Sequence, residues 1–148
     1  MSNGFFKTPV AVNEPVKNYA PGSIERKMLK KAIEELKSSS VDIPMYIGAA
    51  EVRTGNKGEI RPPHDTKTLL GHFHKGDASH VKAAIDAALA AKEQWANTPW
   101  ENRAAIFLKA AELLAGPYRY KMNAATMLCQ SKNAYQAEID SACELIDF

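Results

Sequence analysis

With 148 residues, the chain has room for one domain with a core of its own, able to bury ~68–70% of its unfolded surface. Its 45% hydrophobic and 24% charged residues are too apolar for disorder and ordinary for a soluble globular protein. A net charge of +2, from 19 basic and 17 acidic residues spread along the chain, gives no electrostatic footing for nucleic acid or an anionic membrane, and no apolar run is long enough to cross a bilayer.

Residues 1–22 carry Pro9, Pro15 and Pro21 without periodicity, which predicts an extended N-terminal arm lying over something else, or a loose tail. Met1 to Val12 have one lysine, no apolar run and no arginine-rich amphipathic pattern, so neither a secretory signal nor a transit peptide is expected there. Ser23, after Pro21-Gly22, is a candidate N-cap. Behind it Leu29, Ala32, Ile33 and Leu36 recur at helical spacing through Lys37. Lys30–Glu34 and Lys31–Glu35 fall on the opposite, solvated face.

Between 38 and 74 the pattern changes. Ile43, Met45 and Ile47 alternate up to Gly48, and Glu51-Val52-Arg53-Thr54 runs to Gly55, which predicts a short hairpin. Gly55-Asn56-Lys57-Gly58 reads as a turn and Pro62-Pro63-His64-Asp65 as another break. Thr68 to His74 reads as a further strand, closed by Lys75-Gly76-Asp77. On it His72 and His74 share one face; with no third ligand near, a half-exposed strand is a better reading than a metal pair.

From Ala78 the chain is helical. Val81, Ala84, Ile85, Ala88, Leu89 and Trp95 form one stripe, and Ala104, Phe107, Leu108, Ala111 and Leu114 a second, stopped by Gly116-Pro117. Met122, Ala125, Leu128 and Cys129 mark a third helix; Tyr135, Ile139, Ala142, Leu145 and Ile146 mark a fourth. Short joints predict that neighbouring helices pack on one another. Glu144-Leu145-Ile146-Asp147-Phe148 stops in mid-pattern without a closing signal, an expectation of truncation that the last residues alone support only slightly.

Two groups of residues carry a family resemblance. The alanine-rich run Val81–Ala91 leading to Trp95 and Thr98-Pro99, followed by Glu101-Asn102-Arg103-Ala104 (an "ERA" helix with one residue inserted), is similar to the opening helices of aldehyde dehydrogenases. Asn13-Glu14-Pro15-Val16, Pro21-Gly22-Ser23, Ala115-Gly116-Pro117-Tyr118-Arg119, Gln136–Asp140 and Glu144–Phe148, in that order, resemble the pyrroline-5-carboxylate dehydrogenase branch. The resemblance implies an α/β parent fold, of which this mainly α-helical chain with a short β-hairpin and strand region near 43–74 is the opening portion. Residues 23–148 would then belong to the cofactor-binding domain, incomplete here, behind the 1–22 arm.

The resemblance further implies an NAD-dependent oxidoreductase of proline breakdown that oxidises L-glutamate γ-semialdehyde to glutamate. In such enzymes a cysteine thiolate adds to the aldehyde, hydride passes to the nicotinamide, and an activated water releases the acid. The catalytic cysteine and the NAD site would lie beyond Phe148, so the chain alone is expected to be inactive. Cys129 and Cys143, inside helical patterns among small apolar residues, read as reduced packing thiols of a cytoplasmic protein. No G-x-G-x-x-G or P-loop is present. His64 and His80 carry no inference, and neither does Lys132, which follows Ser131 where the family often has glycine. Glu144 is the one candidate substrate-binding residue: Ser141–Asp147 matches the branch's "AAELID" motif, whose glutamate lies near the aldehyde pocket, although physics alone favours a solvated carboxylate. The expected partners are a small-molecule substrate, the remainder of the enzyme and further copies in a homo-oligomer. The rival reading is a stand-alone helical module derived from such an enzyme and retained for binding or assembly.

Overall fold

A computed structural model describes residues 4–148, so residues 1–3 of the expected arm lie outside the described residues. Helix α1, Ile24–Ser38, starts at Ser23, whose hydroxyl accepts from the Arg26 N–H. It packs on α4, Arg119–Gln130, and the two build the small core of Leu29, Ala32 and Ala124. Tyr19, Ile33, Leu36, Tyr120, Met127 and Ala134 pack around that core.

The predicted hairpin is present: β2, Met45–Ile47, pairs antiparallel with β3, Ala50–Val52, across a two-residue turn with Gly48 at φ 60°. Two expectations need correction. Lys57 and Gly58 are not turn residues but begin a strand, β4 (Lys57–Ile60), and the expected strand 68–74 is ordered as β5 only from Gly71 to His74. β5 is the centre of a three-stranded sheet, antiparallel to β4 and parallel to β1, Val41–Ile43. A central partner on both sides is what local pattern reading could not supply. It also buries His74, which the sequence reading left half-exposed. The Thr54 N–H donates to His74 Nδ1 at 2.7 Å, and His74 Nε2 lies 3.2 Å from Asp42 Oδ2, so the ring ties β3's exit to β1.

Asp77 caps α2, Ala78–Asn97, in a capping box with His80, a role for His80 that the sequence reading missed. Helix α3 spans Trp100–Ala115. Neither helix has a buried residue, contrary to the expectation that neighbouring helices cover each other's stripes. Val81, Ile85 and Leu89 on α2 and Ile106, Phe107 and Leu108 on α3 all remain more than half exposed. A groove with Phe107, Leu108 and Leu114 on one wall and Leu145 and Ile146 on the other stands open.

The fourth helix is also not the uniform one expected. It begins as α5, Ala134–Ala137, passes through a π-turn, Glu138–Cys143, and ends as α6, Glu144–Asp147. Its buried residues are Ala137, Glu138, Ala142 and Cys143, while Tyr135 and Leu145 of the predicted stripe are exposed. Ser131, at the end of α4, takes a left-handed conformation with φ 56°, the region that favours glycine.

Gly71 is where side-chain size decides the sheet. Its φ is 152°, and a Cβ there would meet the Val41 carbonyl oxygen at 2.1 Å. Gly71→Ala should therefore part β1 from β5 and lower the unfolding free energy by more than about 2 kcal/mol. Urea unfolding checks this; an unchanged midpoint and slope would mean the β1–β5 approach adds nothing to stability.

Candidate functional site

The break at Gly116-Pro117 starts α4 at Arg119, in the first turn, where the helix dipole disfavours a cation. The guanidinium is nevertheless fully buried, because two carboxylates and a carbonyl turn toward it. Arg119 Nη1 donates to Glu14 and Nη2 to Glu138; Nη2 also reaches the Pro15 carbonyl at 2.9 Å, and Nε reaches Glu138 Oε2 at 3.3 Å. Glu138 is equally buried and accepts from the Lys17 N–H at 2.7 Å, the Tyr19 hydroxyl at 2.5 Å and Asn123 Nδ2 at 2.8 Å. Two buried charges are thus paired and their hydrogen-bonding capacity is used, the condition under which such a pair is tolerated.

Burial pushes the Glu138 carboxyl up, but the Arg119 guanidinium, the Tyr19 hydroxyl and the Lys17 N–H outweigh it and hold Glu138 below the usual carboxylate range. Tyr19 is raised well above an ordinary phenol, first by burial and then by its bond to Glu138. Arg119 is raised too: burial works against its charge, and its bonds to Glu138 and Glu14 prevail. The cluster is therefore a fixed ion pair at neutral pH rather than an acid–base couple.

The arm crosses this cluster as a strap. Lys17 binds Glu138 at the start of the π-turn, and the Glu14 N–H donates to Asp147 Oδ1 at 2.7 Å beyond its end. Cys143 lies against the same guanidinium, its Sγ 3.6 Å from Arg119 Nη2. Burial pushes the Cys143 thiol up, with Glu138 adding to it; Cys129, expected to be a packing thiol, is exposed instead, and partial burial raises its thiol too, so neither is shifted toward an activated thiolate.

Glu144, the candidate from the sequence, sits directly after the π-turn with an exposed side chain and no hydrogen-bond partner for its carboxylate among the described residues. Nearby, Asp140 pairs with Lys132 at 2.7 Å, and Ser141 bonds Thr126 at 2.9 Å. Lys132 thus has a structural partner. His72 and His74 share a face as expected, yet among the described residues no group of three potential ligands could hold a metal ion. Sequence reasoning missed Arg119, Glu138 and Tyr19 as a unit. The only signal for them was that Glu14, Arg119, Glu138 and Asp147 fall in the separate segments that carry the resemblance.

Residues 51–148 match the aldehyde dehydrogenase family, and the chain belongs to it. It is 51% identical over 144 residues to the delta-1-pyrroline-5-carboxylate dehydrogenase of Agaricus bisporus, and 47% identical over 144 residues to a probable delta-1-pyrroline-5-carboxylate dehydrogenase of Schizosaccharomyces pombe. Each match covers 97% of this chain and 26% of the relative, so the chain spans about a quarter of the curated relatives' length. A crystal structure of the Mycobacterium tuberculosis delta-pyrroline-5-carboxylate dehydrogenase bound with NAD superposes with a TM-score of 0.94 at 44% identity, covering 99% of this chain and 28% of that one.

The lowered Glu138 fixes the sign of the strap's acid response. A depressed folded-state pKa contributes stability that is complete above the ordinary glutamate value of 4.5 and is lost as pH falls through the lowered one. The Lys17 amide should therefore stay protected from hydrogen exchange through pH 5 and lose protection at lower pH, after correction for the intrinsic rate. Loss of protection while the pH is still above 5 would contradict the ion-pair reading of the cluster.

Proposed function

We propose that this chain is the N-terminal part of an NAD-dependent L-glutamate γ-semialdehyde (1-pyrroline-5-carboxylate) dehydrogenase, with residues 23–148 in its cofactor-binding domain, 1–22 as an extended arm and Glu144 holding the substrate's α-ammonium group. The observation that carries the reading is the match over 97% of the chain to relatives of that name. The strap, the buried ion pair and Glu144 all lie within the matched stretch.

Hydride acceptance would fall to NAD, which the M. tuberculosis relative holds. Among the described residues, the one strand-to-helix junction does not offer it a cradle. At the strand-to-helix junction β5–α2, the helix N-terminus is already taken by Asp77, whose carboxylate accepts from the Ser79 and His80 N–H groups and would repel a phosphate. The nucleophile would likewise be supplied by the remainder of the enzyme, in keeping with a buried Cys143 and with thiols that are raised rather than lowered at both cysteines. Glu144, exposed beside the buried cluster, contributes a carboxylate free to bind a cation.

The uncovered stripes of α2 and α3 favour a segment built to pack on a larger body over a stand-alone module. The same reading makes the parent a homo-oligomer in the cytoplasm, the latter in keeping with two free cysteines. None of the described helices is long and apolar enough to cross a membrane.

Two measurements on the chain alone follow. Incubated with NAD and glutamate semialdehyde it should produce no NADH absorbance above a heat-killed control, and it should bind a hydrophobic dye through α2 and α3. Steady turnover, or a dye-silent compact monomer in sedimentation, would count for the stand-alone module instead.

Glu144→Gln in the full-length enzyme tests the site. The change keeps shape and an acceptor but removes the charge, and a charge-assisted contact contributes about 1.5–3 kcal/mol. The kcat/KM for glutamate semialdehyde should fall roughly ten- to a hundredfold, with far less effect on an aldehyde lacking the ammonium group. Equal losses for both aldehydes would reduce Glu144 to a structural carboxylate.

A further inference from the structure

A π-turn inside a helix weakens its hydrogen bonding and persists only where side-chain contacts hold it. Here the Glu144 N–H donates to the Ile139 carbonyl, five residues back. Glu138 and Cys143, also five apart, both face the Arg119 guanidinium. In an unbroken α-helix anchored at Glu138, a residue five positions on would point about 140° away, at 100° per residue. One guanidinium could not then touch both. The π-turn is therefore the register the buried pair imposes.

The strap grips both ends of that register. The Lys17 N–H and Tyr19 hydroxyl hold Glu138 before the turn, and the Glu14 N–H holds Asp147 after it. Between these fixed points Glu144 is left outward while Ala142 and Cys143 are buried. Relaxing the π-turn to α would rotate everything beyond it by about one residue's angle, roughly 100°. The Glu144 carboxylate would swing with it.

We propose that the Glu14–Tyr19 strap and the buried Arg119–Glu138 pair are a positioning device, which sets the direction of the Glu144 carboxylate by holding the π-turn. The inference rests on the reading of Glu144 as the ammonium-binding residue. None of these positioning residues touches substrate; they act through Glu144.

A double-mutant cycle in the full-length dehydrogenase tests this, using the ratio of kcat/KM for the ammonium-bearing aldehyde to that for an uncharged aldehyde. Glu138→Gln should lower the ratio about three- to tenfold and speed hydrogen exchange at the Glu144 amide, the bond that closes the π-turn. Tyr19→Phe, which removes one hydroxyl and keeps the ring, should shift both readouts the same way by less, and it carries the test if Glu138→Gln fails to fold. In a Glu144→Gln background neither change should alter the ratio further. A ratio unchanged in both variants, with Glu144→Gln still selective, overturns the positioning role alone. An equal further loss in the Glu144→Gln background also overturns it, because the strap would then act by another route. A non-selective Glu144→Gln removes the ammonium-binding reading and the positioning role together.

Discussion

The buried guanidinium of Arg119 is the constraint on which the rest of this chain depends. A cation removed from water near a helix N-terminus is doubly disfavoured, by desolvation and by the dipole. It is stable here only because Glu14 arrives from the arm and Glu138 from the fourth helix. Each carboxylate brings a length of chain with it. Glu14 brings an extended segment that has no secondary structure of its own, and Glu138 brings a helix that accepts an irregular turn in order to reach. Removing one partner from such a pair costs about 3–5 kcal/mol, more than a small core of Leu29, Ala32 and Ala124 can comfortably lose.

That dependence explains how the molecule divides. The arm, α1, α4 and the π-turn region share buried contacts; α3 packs one side on α4 and the end of the fourth helix while Ile106, Phe107 and Leu108 stay exposed, and α2 leaves its apolar stripe bare. The sheet stands between these conditions. Its central strand β5 is paired on both sides and His74 is sealed beneath Thr54 and Asp42. Asp42 is held down to about 2 by Lys57 and His74, which marks an exposed charge network lacing β1 to its neighbours. Part of the chain is therefore finished by itself, while α2 and the outer side of α3 present surfaces that suit contact with something larger.

The legible parts of the fold were the local ones. Ser23 as a cap, the stripe of α1 and the Gly48 hairpin depend on neighbours a few residues apart, and periodicity or turn chemistry reveals them. β4 was hidden because Lys57-Gly58 has turn composition, and only pairing with β5, many residues later, makes it a strand. The π-turn was hidden for a related reason. Its cause is a contact between residues 119 and 138, and charged residues in a helical pattern normally read as a solvated face. Glu138 was named in the sequence only as part of a matching segment, with nothing to say it would be fully buried.

The resemblance and the physics meet on this point. Matches at Asn13–Val16, Ala115–Arg119, Gln136–Asp140 and Glu144–Phe148 look, in the sequence, like four independent coincidences. In space Glu14, Arg119, Glu138 and Asp147 form one connected set, so the four segments are a single structural commitment. In this chain the pair, the strap that completes it and the irregular turn beside it stand together. Glu144, one residue past that turn, inherits its direction from all of them. A carboxylate aimed this way needs no partner within the segment, because its surroundings have already fixed the backbone from which it projects.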